Sequence, residues 1–179
     1  MPLCRGFGFA DVVLLEERDE MLAEFLAHYE ANIARESRPV PGAVRMLERL
    51  AAEGATLAVC TNKQERLSRL LLQELDLEYY FSAISGRDTF PVSKPNPSHL
   101  IGTIALAGGD PSNAIMIGDS DVDVMTAKAA HVPIILVSFG YATTPLAELK
   151  AEATIDHFDQ LDVCAAMLLG TAMKRHARS

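Results

Sequence analysis

The chain has 179 residues, of which 49% are hydrophobic and 22% charged, a balance typical of one globular domain with a sizeable core. Its formal net charge of −8 argues against nucleic acid or an anionic membrane surface as the main partner. The three cysteines lie far apart, without the spacing of a disulfide framework or a zinc site, which favours a cytoplasmic location. We expect no signal peptide, and no segment approaches the ~18 apolar residues of a membrane span.

The first 41 residues differ in pattern from the rest of the chain. Apolar residues recur at helical spacing over 19–37, which predicts an amphipathic helix. The segment 38–42, rich in proline and glycine, then breaks the helix and is typical of a linker. We therefore expect two units, a helical appendage over 1–41 and a core domain over 42–179.

After the linker, strand and helix patterns alternate. The predicted elements are helix 42–53, strand 55–60, helix 64–75, strand 81–85, helix 97–107, strand 114–118, helix 120–130, strand 134–138, strand 153–156 and helix 159–169. Short apolar strands separated by helices are the signature of a parallel sheet covered on both faces. The sequence therefore predicts an α/β fold, a Rossmann-like three-layer arrangement with helices on both sides of the sheet.

Strand 114–118 ends in Gly118 and Asp119, and a second carboxylate, Asp123, follows four residues later. Ligand crevices of open α/β sheets lie at the carboxyl ends of strands, and side chains at i and i+4 share one helix face. Two carboxylates that converge on one cavity repel each other unless a cation lies between them, and hard oxygen ligands suit Mg²⁺. The alternative is that Asp119 and Ser120 merely cap the helix that begins there.

Two further strand ends should open onto the same crevice. The Thr61 hydroxyl and the backbone N–H groups beyond it could hold an anion at a helix N-terminus, unless Thr61 is an ordinary strand-end residue. Lys94 lies in a loop stiffened by Pro95 and Pro97 and could neutralise phosphate oxygens, unless it is an ordinary surface lysine. A hydroxyl and amide cradle, a cation and metal-binding carboxylates are the set that phosphoryl transfer requires.

In order and spacing, these residues resemble three motifs of the haloacid dehalogenase-like hydrolases. The matching strings are Thr61-Asn62, Lys94-Pro95 and Gly118-Asp119-Ser120-x-x-Asp123. Longer stretches of the sequence resemble the phosphoglycolate phosphatase branch of that family. They are Val59-Cys60-Thr61-Asn62-Lys63, Gly86-Arg87-Asp88-Thr89 and Val137-Ser138-Phe139-Gly140-Tyr141. The resemblance covers about residues 19–169.

The resemblance implies an Mg²⁺-dependent phosphatase that acts on a small phosphorylated substrate. Asp119 would bind the metal directly, and Asp123 would support the metal site through water or by orienting Lys94. Thr61 and the Asn62 backbone would hold the phosphoryl group. Lys94 would stabilise charge on the nucleophile and the phosphoryl oxygens, so that Thr61 and Lys94 are the catalytic candidates. Residues 19–37 would belong to the helical cap that selects substrates.

The family's first motif, a strand followed by Asp-x-Asp-Gly-Thr, occurs nowhere in this sequence. By resemblance, that motif carries the aspartate nucleophile, and its strand lies between the strands at 55–60 and 114–118. We therefore expect a gap one strand wide, with unpaired backbone on both sides. Residues 9–15 have some strand character, but they do not match the motif, and a helix of the cap is the simpler interpretation.

Two hypotheses follow. Either the chain is a copy of a phosphatase without its first ~50 residues, or the short form is natural and is a catalytically dead binding protein. In the second case the gap could accept a strand from a partner or from a second copy, giving a homo-oligomer or strand-swapped dimer. Retention of the candidate site residues favours the first hypothesis, and a purely structural adaptor leaves the strands unexplained. We expect little or no phosphate release from this chain.

Histidines show no metal-ligand spacing in this sequence. His99 lies on the helix that follows Lys94 and is expected at the surface.

Overall fold

The structure, a computed structural model, describes Ile33 and residues 37–176, with side chains described as far as residue 170. The predicted helix 19–37 and the segment 9–15 lie outside the described residues, apart from Ile33 and residue 37. The division of the chain at residue 41 therefore stays a prediction.

Within the described part, helices and strands alternate as predicted. In chain order they are α1 (Ala43–Ala52), β1 (Ala58–Cys60), α2 (Glu65–Glu74), β2 (Ala83–Ser85), α3 (Pro97–Leu106), β3 (Met116–Gly118), α4 (Asp121–Ala129), β4 (Ile134–Val137), α5 (Leu146–Leu149), β5 (Ala153–Ile155) and α6 (Leu161–His176). The short helix α5 was not predicted, and α6 continues past its predicted end at residue 169. None of the described helices is long and apolar enough to cross a membrane.

Strand β4 forms the centre of the larger sheet, where it pairs in parallel with β3 and β5. Ile134 and Leu136 pack into one apolar cluster with residues of α3 and α4, whereas Ile135 and Val137 pack into another with residues of α1 and α6. All four side chains are buried. Alternate residues of a strand point to opposite faces, so this pattern shows helices on both sides of the sheet. The predicted three-layer, Rossmann-like α/β fold is confirmed.

The described strands form two sheets, β1–β2 and β3–β4–β5, and within the described residues β1 does not pair with β3. The N–H of Thr61 donates to the last residue of β2, and the N–H of Met116 donates to the residue before β4. Successive residues of a strand direct their backbone groups to opposite neighbours. Cys60 and Ile117 therefore direct theirs into the space between the two sheets.

Side-chain exposure agrees with the predicted gap between these strands. Ile117 is 41% exposed, whereas Ile135, its partner in the parallel register, is fully buried. Ala58, on the opposite side of the gap, is also exposed. The edges of β1 and β3 are therefore open to an additional strand within the part of the chain that the structure describes.

Because the edge of β3 is open, we expect an isoleucine-to-alanine substitution to reduce stability less in β3 than in β4. Ile135→Ala should lower the free energy of unfolding by about 2–5 kcal/mol, because it leaves a cavity in the core. Ile117→Ala should lower it by about 1 kcal/mol or less, because that residue is already 41% exposed. Urea unfolding of both variants measures the difference. Equal losses would show that the outer edge of β3 is covered in solution.

Candidate functional site

The carboxyl ends of β1 and β3 and the loop before α3 meet at one cavity of about 410 Å³. Its lining includes Thr61, Lys94, Asp119 and Asp123, four of the five residues selected from the sequence. The other lining residues are Val40, Cys60, Ile117, Gly118, Val137, Phe139, Gly140, Tyr141 and Phe158. A second cavity, of about 540 Å³, lies beside the linker and is lined by none of the five.

Lys94 and Asp123 form a buried ion pair. The distance from Lys94 Nζ to Asp123 Oδ1 is 2.6 Å, and the two side chains are 11% and 5% exposed. The alternative of an ordinary surface lysine is therefore wrong. The second oxygen of Asp123, Oδ2, accepts hydrogen bonds from the Asp119 N–H at 3.1 Å, the Ser120 N–H at 3.2 Å and the Ser120 hydroxyl at 2.7 Å.

These contacts keep Asp123 ionised. Burial acts to raise its pKa, but the hydrogen bond and charge of Lys94, together with the Ser120 contacts, bring the pKa of Asp123 below its ordinary value. Ser120 and Asp123 also form a capping box at the start of α4. The alternative that Asp119 and Ser120 merely cap this helix is therefore right for Ser120 and wrong for Asp119, which is not a member of the box.

Asp119 lies in the opposite electrostatic situation. Burial raises the pKa of its carboxyl, the neighbouring Asp123 raises it further, and Lys94 only partly opposes the shift. The ammonium of Lys94 is committed to Asp123, so Asp119 is the less compensated carboxylate of the two. A cation bound at Asp119 would offset both the cost of burying its charge and the repulsion from Asp123.

Two glycines allow the chain to close around these carboxylates. A Cβ atom on Gly118 would lie 2.4 Å from the Cβ of Asp123, and one on Gly140 would lie 2.4 Å from the Cβ of Asp119. The loop after β4 therefore passes directly over Asp119, and the Tyr141 N–H donates to the Asp119 carbonyl at 2.8 Å. A side chain at Gly118 would force the end of β3 away from α4, and one at Gly140 would force the loop after β4 away from Asp119.

Asp121 also holds the loop after β4 in place. Its carboxylate accepts hydrogen bonds from the Thr143 N–H at 2.7 Å, the Thr143 hydroxyl at 3.2 Å and the Thr144 N–H at 3.2 Å. Hydrogen bonds from Thr144 and Thr143 lower the pKa of Asp121 to about 2. Sequence reasoning missed this contact because the 22-residue separation between Asp121 and Thr143 leaves no periodic signal.

Thr61 and Asn62 lie at the end of β1 and have different surroundings. The Thr61 hydroxyl accepts the Lys63 N–H at 3.2 Å, and a hydroxyl that accepts one hydrogen bond still has its own hydrogen to donate. The Asn62 side chain donates from Nδ2 to the Lys94 carbonyl at 2.9 Å, so it holds the Lys94 loop. Burial raises the pKa of the adjacent Cys60 thiol, which keeps the thiol neutral and poorly nucleophilic.

His99 is the clearest correction to the sequence analysis, because it is fully buried and not at the surface. Its Nδ1 accepts the Lys94 N–H at 3.1 Å, and Phe90 meets its ring edge-on with centroids 5.8 Å apart. His99, Leu100 and Thr103 form the buried face of α3. The i, i+4 spacing of His99 and Thr103 could have indicated that both residues lie on one buried face of α3. A single histidine, however, has no metal-ligand spacing from which its position could be predicted.

Parallel strands covered by helices, with a lysine and two carboxylates lining one cavity at the carboxyl edge of the sheet, define a Rossmann-like α/β protein whose candidate site lies at that edge. Residues 9–137 match the sequence profile of the haloacid dehalogenase-like hydrolases, and the chain belongs to that family.

Named relatives agree with this assignment. The chain is 48% identical over 147 residues to a phosphoglycolate phosphatase of Mesorhizobium japonicum, covering 82% of this chain and 65% of the relative. It is 45% identical over 158 residues to a phosphoglycolate phosphatase of Agrobacterium fabrum, covering 88% and 68%. A crystal structure of a predicted phosphoglycolate phosphatase from Haemophilus somnus matches with a TM-score of 0.77 at 27% identity, over 84% of this chain and 68% of that one. The chain thus spans about two thirds of the length of these relatives.

The two carboxylates at the start of α4 should respond oppositely to neutralisation. Asp123→Asn leaves the buried Lys94 ammonium without its partner, so we expect the free energy of unfolding to fall by roughly 3 kcal/mol. Asp119→Asn removes a charge that burial and Asp123 disfavour, so the Tm of the metal-free chain should stay constant or rise. Thermal and urea unfolding near neutral pH measure both variants.

The pH profile of stability supplies the control for this pair. Because the pKa of folded Asp123 lies below its unfolded value of about 3.9, its stabilisation is present above that pH and is lost as the pH falls toward the folded pKa. Asp123→Asn should therefore flatten the loss of stability in acid. Equal effects of the two substitutions, or an unchanged acid profile, would contradict the assignment of opposite shifts.

Proposed function

We propose that the chain carries the phosphate- and Mg²⁺-binding part of a phosphatase site for small phosphomonoesters such as phosphoglycolate. One observation carries this proposal: the ammonium of Lys94 is buried, held 2.6 Å from Asp123, and lines one cavity with Thr61 and Asp119. Phosphoryl transfer depends on positioning and charge neutralisation, which a fixed cation beside a hydroxyl and a carboxylate can supply. The relatives named phosphoglycolate phosphatase, at 48% and 45% identity, support the substrate class.

Each residue of the site would have a distinct task. The Thr61 hydroxyl and the Asn62 backbone N–H would donate to phosphoryl oxygens ahead of α2, where the helix N-terminus favours an anion. Lys94 would neutralise the same oxygens as a point charge. Asp123, whose two oxygens already accept hydrogen bonds, would act indirectly by holding Lys94 in place.

Asp119 is the candidate ligand for Mg²⁺. Its hard oxygen donors and raised pKa fit a divalent cation, although the described residues contain no group of three or more His, Cys, Asp or Glu side chains that could hold a metal. Mg²⁺ is often bound by one or two carboxylates together with water and substrate phosphate, so a single protein carboxylate is compatible with it. When bound, the ion would supply further positive charge for the phosphoryl oxygens.

Among the described residues, the proposed site contains no carboxylate that is free to act as a nucleophile. The carboxylates that line the cavity are Asp119 and Asp123. Asp119 would bind Mg²⁺ and Asp123 would hold Lys94, so neither would attack the phosphorus atom, and the sequence contains no Asp-x-Asp-Gly-Thr. We therefore propose that the 179-residue chain binds phosphate and Mg²⁺ but releases little or no phosphate from a substrate.

Inorganic phosphate tests this proposal directly. Isothermal titration calorimetry should show phosphate binding that Mg²⁺ strengthens and that Lys94→Met weakens by at least about tenfold, because a charge-assisted contact is lost. The double variant Lys94→Met/Asp123→Asn should be equally weak while avoiding an unpaired buried charge. Lys128→Met, which changes an exposed lysine at the far end of α4, is the matched control and should bind like the parent chain.

Two outcomes would count against the proposal. A folded parent chain that binds no phosphate in the presence of Mg²⁺ would remove the binding site. Phosphoglycolate turnover well above background, abolished by Asp119→Ala, would show that the chain does contain a nucleophile.

The gap between β1 and β3 favours a second candidate function, a binding protein that completes its sheet with a strand from a second copy. Ile117 is 41% exposed at an edge whose backbone groups face outward, and such edges pair readily with another chain. Sedimentation velocity should then show concentration-dependent dimers that Ile117→Lys dissociates. A chain that stays monomeric at high concentration would contradict this candidate.

A further inference from the structure

We infer that His99 is a positioning residue that fixes the backbone of Lys94, an inference that rests on the phosphate site proposed above. His99 is fully buried in the first turn of α3, and its Nδ1 accepts the backbone N–H of Lys94 at 3.1 Å. The ring thus contacts the main chain of the lysine, and His99 is not among the residues that line the cavity. None of the roles assigned to the site includes this histidine.

Lys94 is held at three separate atoms by three separate parts of the chain. Its N–H donates to His99 on α3, its carbonyl accepts from Asn62 after β1, and its ammonium donates to Asp123 on α4. A long lysine side chain has considerable rotamer entropy, so its ammonium is placed well only when its backbone is also fixed. The loss of one of the three contacts should therefore broaden the position of the ammonium.

The loop that carries Lys94 is also packed against the helix that carries His99. Phe90 meets the His99 ring edge-on and lies so close to Gly102 that a Cβ atom there would come within 2.8 Å of the phenyl ring. At the other end of the loop, the Asn96 side chain caps α3 by accepting the Ser98 N–H at 2.9 Å. The loop and the helix therefore form one packed unit, and the imidazole is its polar link to Lys94.

The hydrogen bond requires one particular form of the imidazole. Nδ1 can accept only when it carries no proton, so the neutral ring must hold its hydrogen on Nε2. Nε2 is buried and makes no hydrogen bond of normal geometry among the described residues, although the backbone of Gly86 is near enough to favour a proton on the ring. A protonated ring would direct an N–H at the Lys94 N–H and place a second positive charge beside the lysine.

The surroundings of His99 favour this neutral form. The groups that face it are the ammonium of Lys94, the uncharged ring of Phe90 and the backbone of Gly86. Burial lowers the pKa of His99, the positive charge of Lys94 lowers it further, and the Gly86 backbone opposes the shift. Burial lowers the pKa of any histidine in a core, so the hydrogen bond to the Lys94 N–H is the observation that separates positioning from simple packing.

Two variants at this position separate the two roles. His99→Leu keeps an apolar volume but removes the acceptor, whereas His99→Asn keeps an acceptor near the position of Nδ1. Amide hydrogen exchange measured by NMR should show Lys94 exchanging about tenfold faster in His99→Leu, relative to Leu100 and Thr103 in the same protein, as expected for one lost hydrogen bond. His99→Asn should restore most of that protection.

Phosphate affinity and the tautomer complete the test. The Kd for inorganic phosphate should rise about tenfold in His99→Leu and about threefold or less in His99→Asn. In the parent chain, the imidazole ¹⁵N shifts should show the hydrogen on Nε2, and Lys94 protection should fall as His99 becomes protonated in acid.

The results that would overturn the inference are distinct from those that would overturn the proposed function. A ring with its hydrogen on Nδ1, or a folded His99→Leu variant with unchanged relative exchange at Lys94, would reduce His99 to a core residue. If no variant binds phosphate but Lys94 exchange still responds to His99, the positioning role stands and the phosphate site fails.

Discussion

The ion pair between Lys94 and Asp123 joins the loop before α3 to the start of α4, and its two side chains have almost no access to solvent. Removing either partner would leave an uncompensated buried charge, which costs several kcal/mol, so the loop and the helix must keep their relative positions. The rest of the cavity follows from this constraint. Thr61 and Asp119 line the same cavity because the strands that they follow, β1 and β3, pack against α3 and α4.

The pair also explains why two aspartates four residues apart differ so strongly. Lys94, Ser120 and two backbone N–H groups stabilise the ionised form of Asp123, whereas Asp119 lies beside that charge without an equal partner. The protein itself satisfies the charge of Asp123, and we propose Asp119 as the carboxylate that would contact a ligand. The close approaches at Gly118 and Gly140 leave no room for a side chain at either position.

Much of this arrangement could be predicted from the sequence. The periodicity of strands and helices is a local pattern, and the rule that ligands bind at strand ends follows from the topology of the sheet. They placed Thr61, Lys94 and Asp119 at one edge of the sheet, and the missing Asp-x-Asp-Gly-Thr predicted the open edge at Ile117. The partners of each polar group could not be predicted in the same way. That Asn62 contacts the Lys94 carbonyl, and that His99 is buried, depends on long-range packing that leaves no periodic pattern.

The most direct test of the account is a pH titration of the aspartate carboxyl carbons by ¹³C NMR, with and without Mg²⁺. The account predicts that Asp123 stays ionised below the ordinary range, that Asp119 titrates above it, and that Mg²⁺ lowers the midpoint of Asp119 while leaving Asp123 nearly unchanged. Matching midpoints near the ordinary value, or a response to Mg²⁺ at Asp123 and not at Asp119, would contradict the division of roles between the two carboxylates.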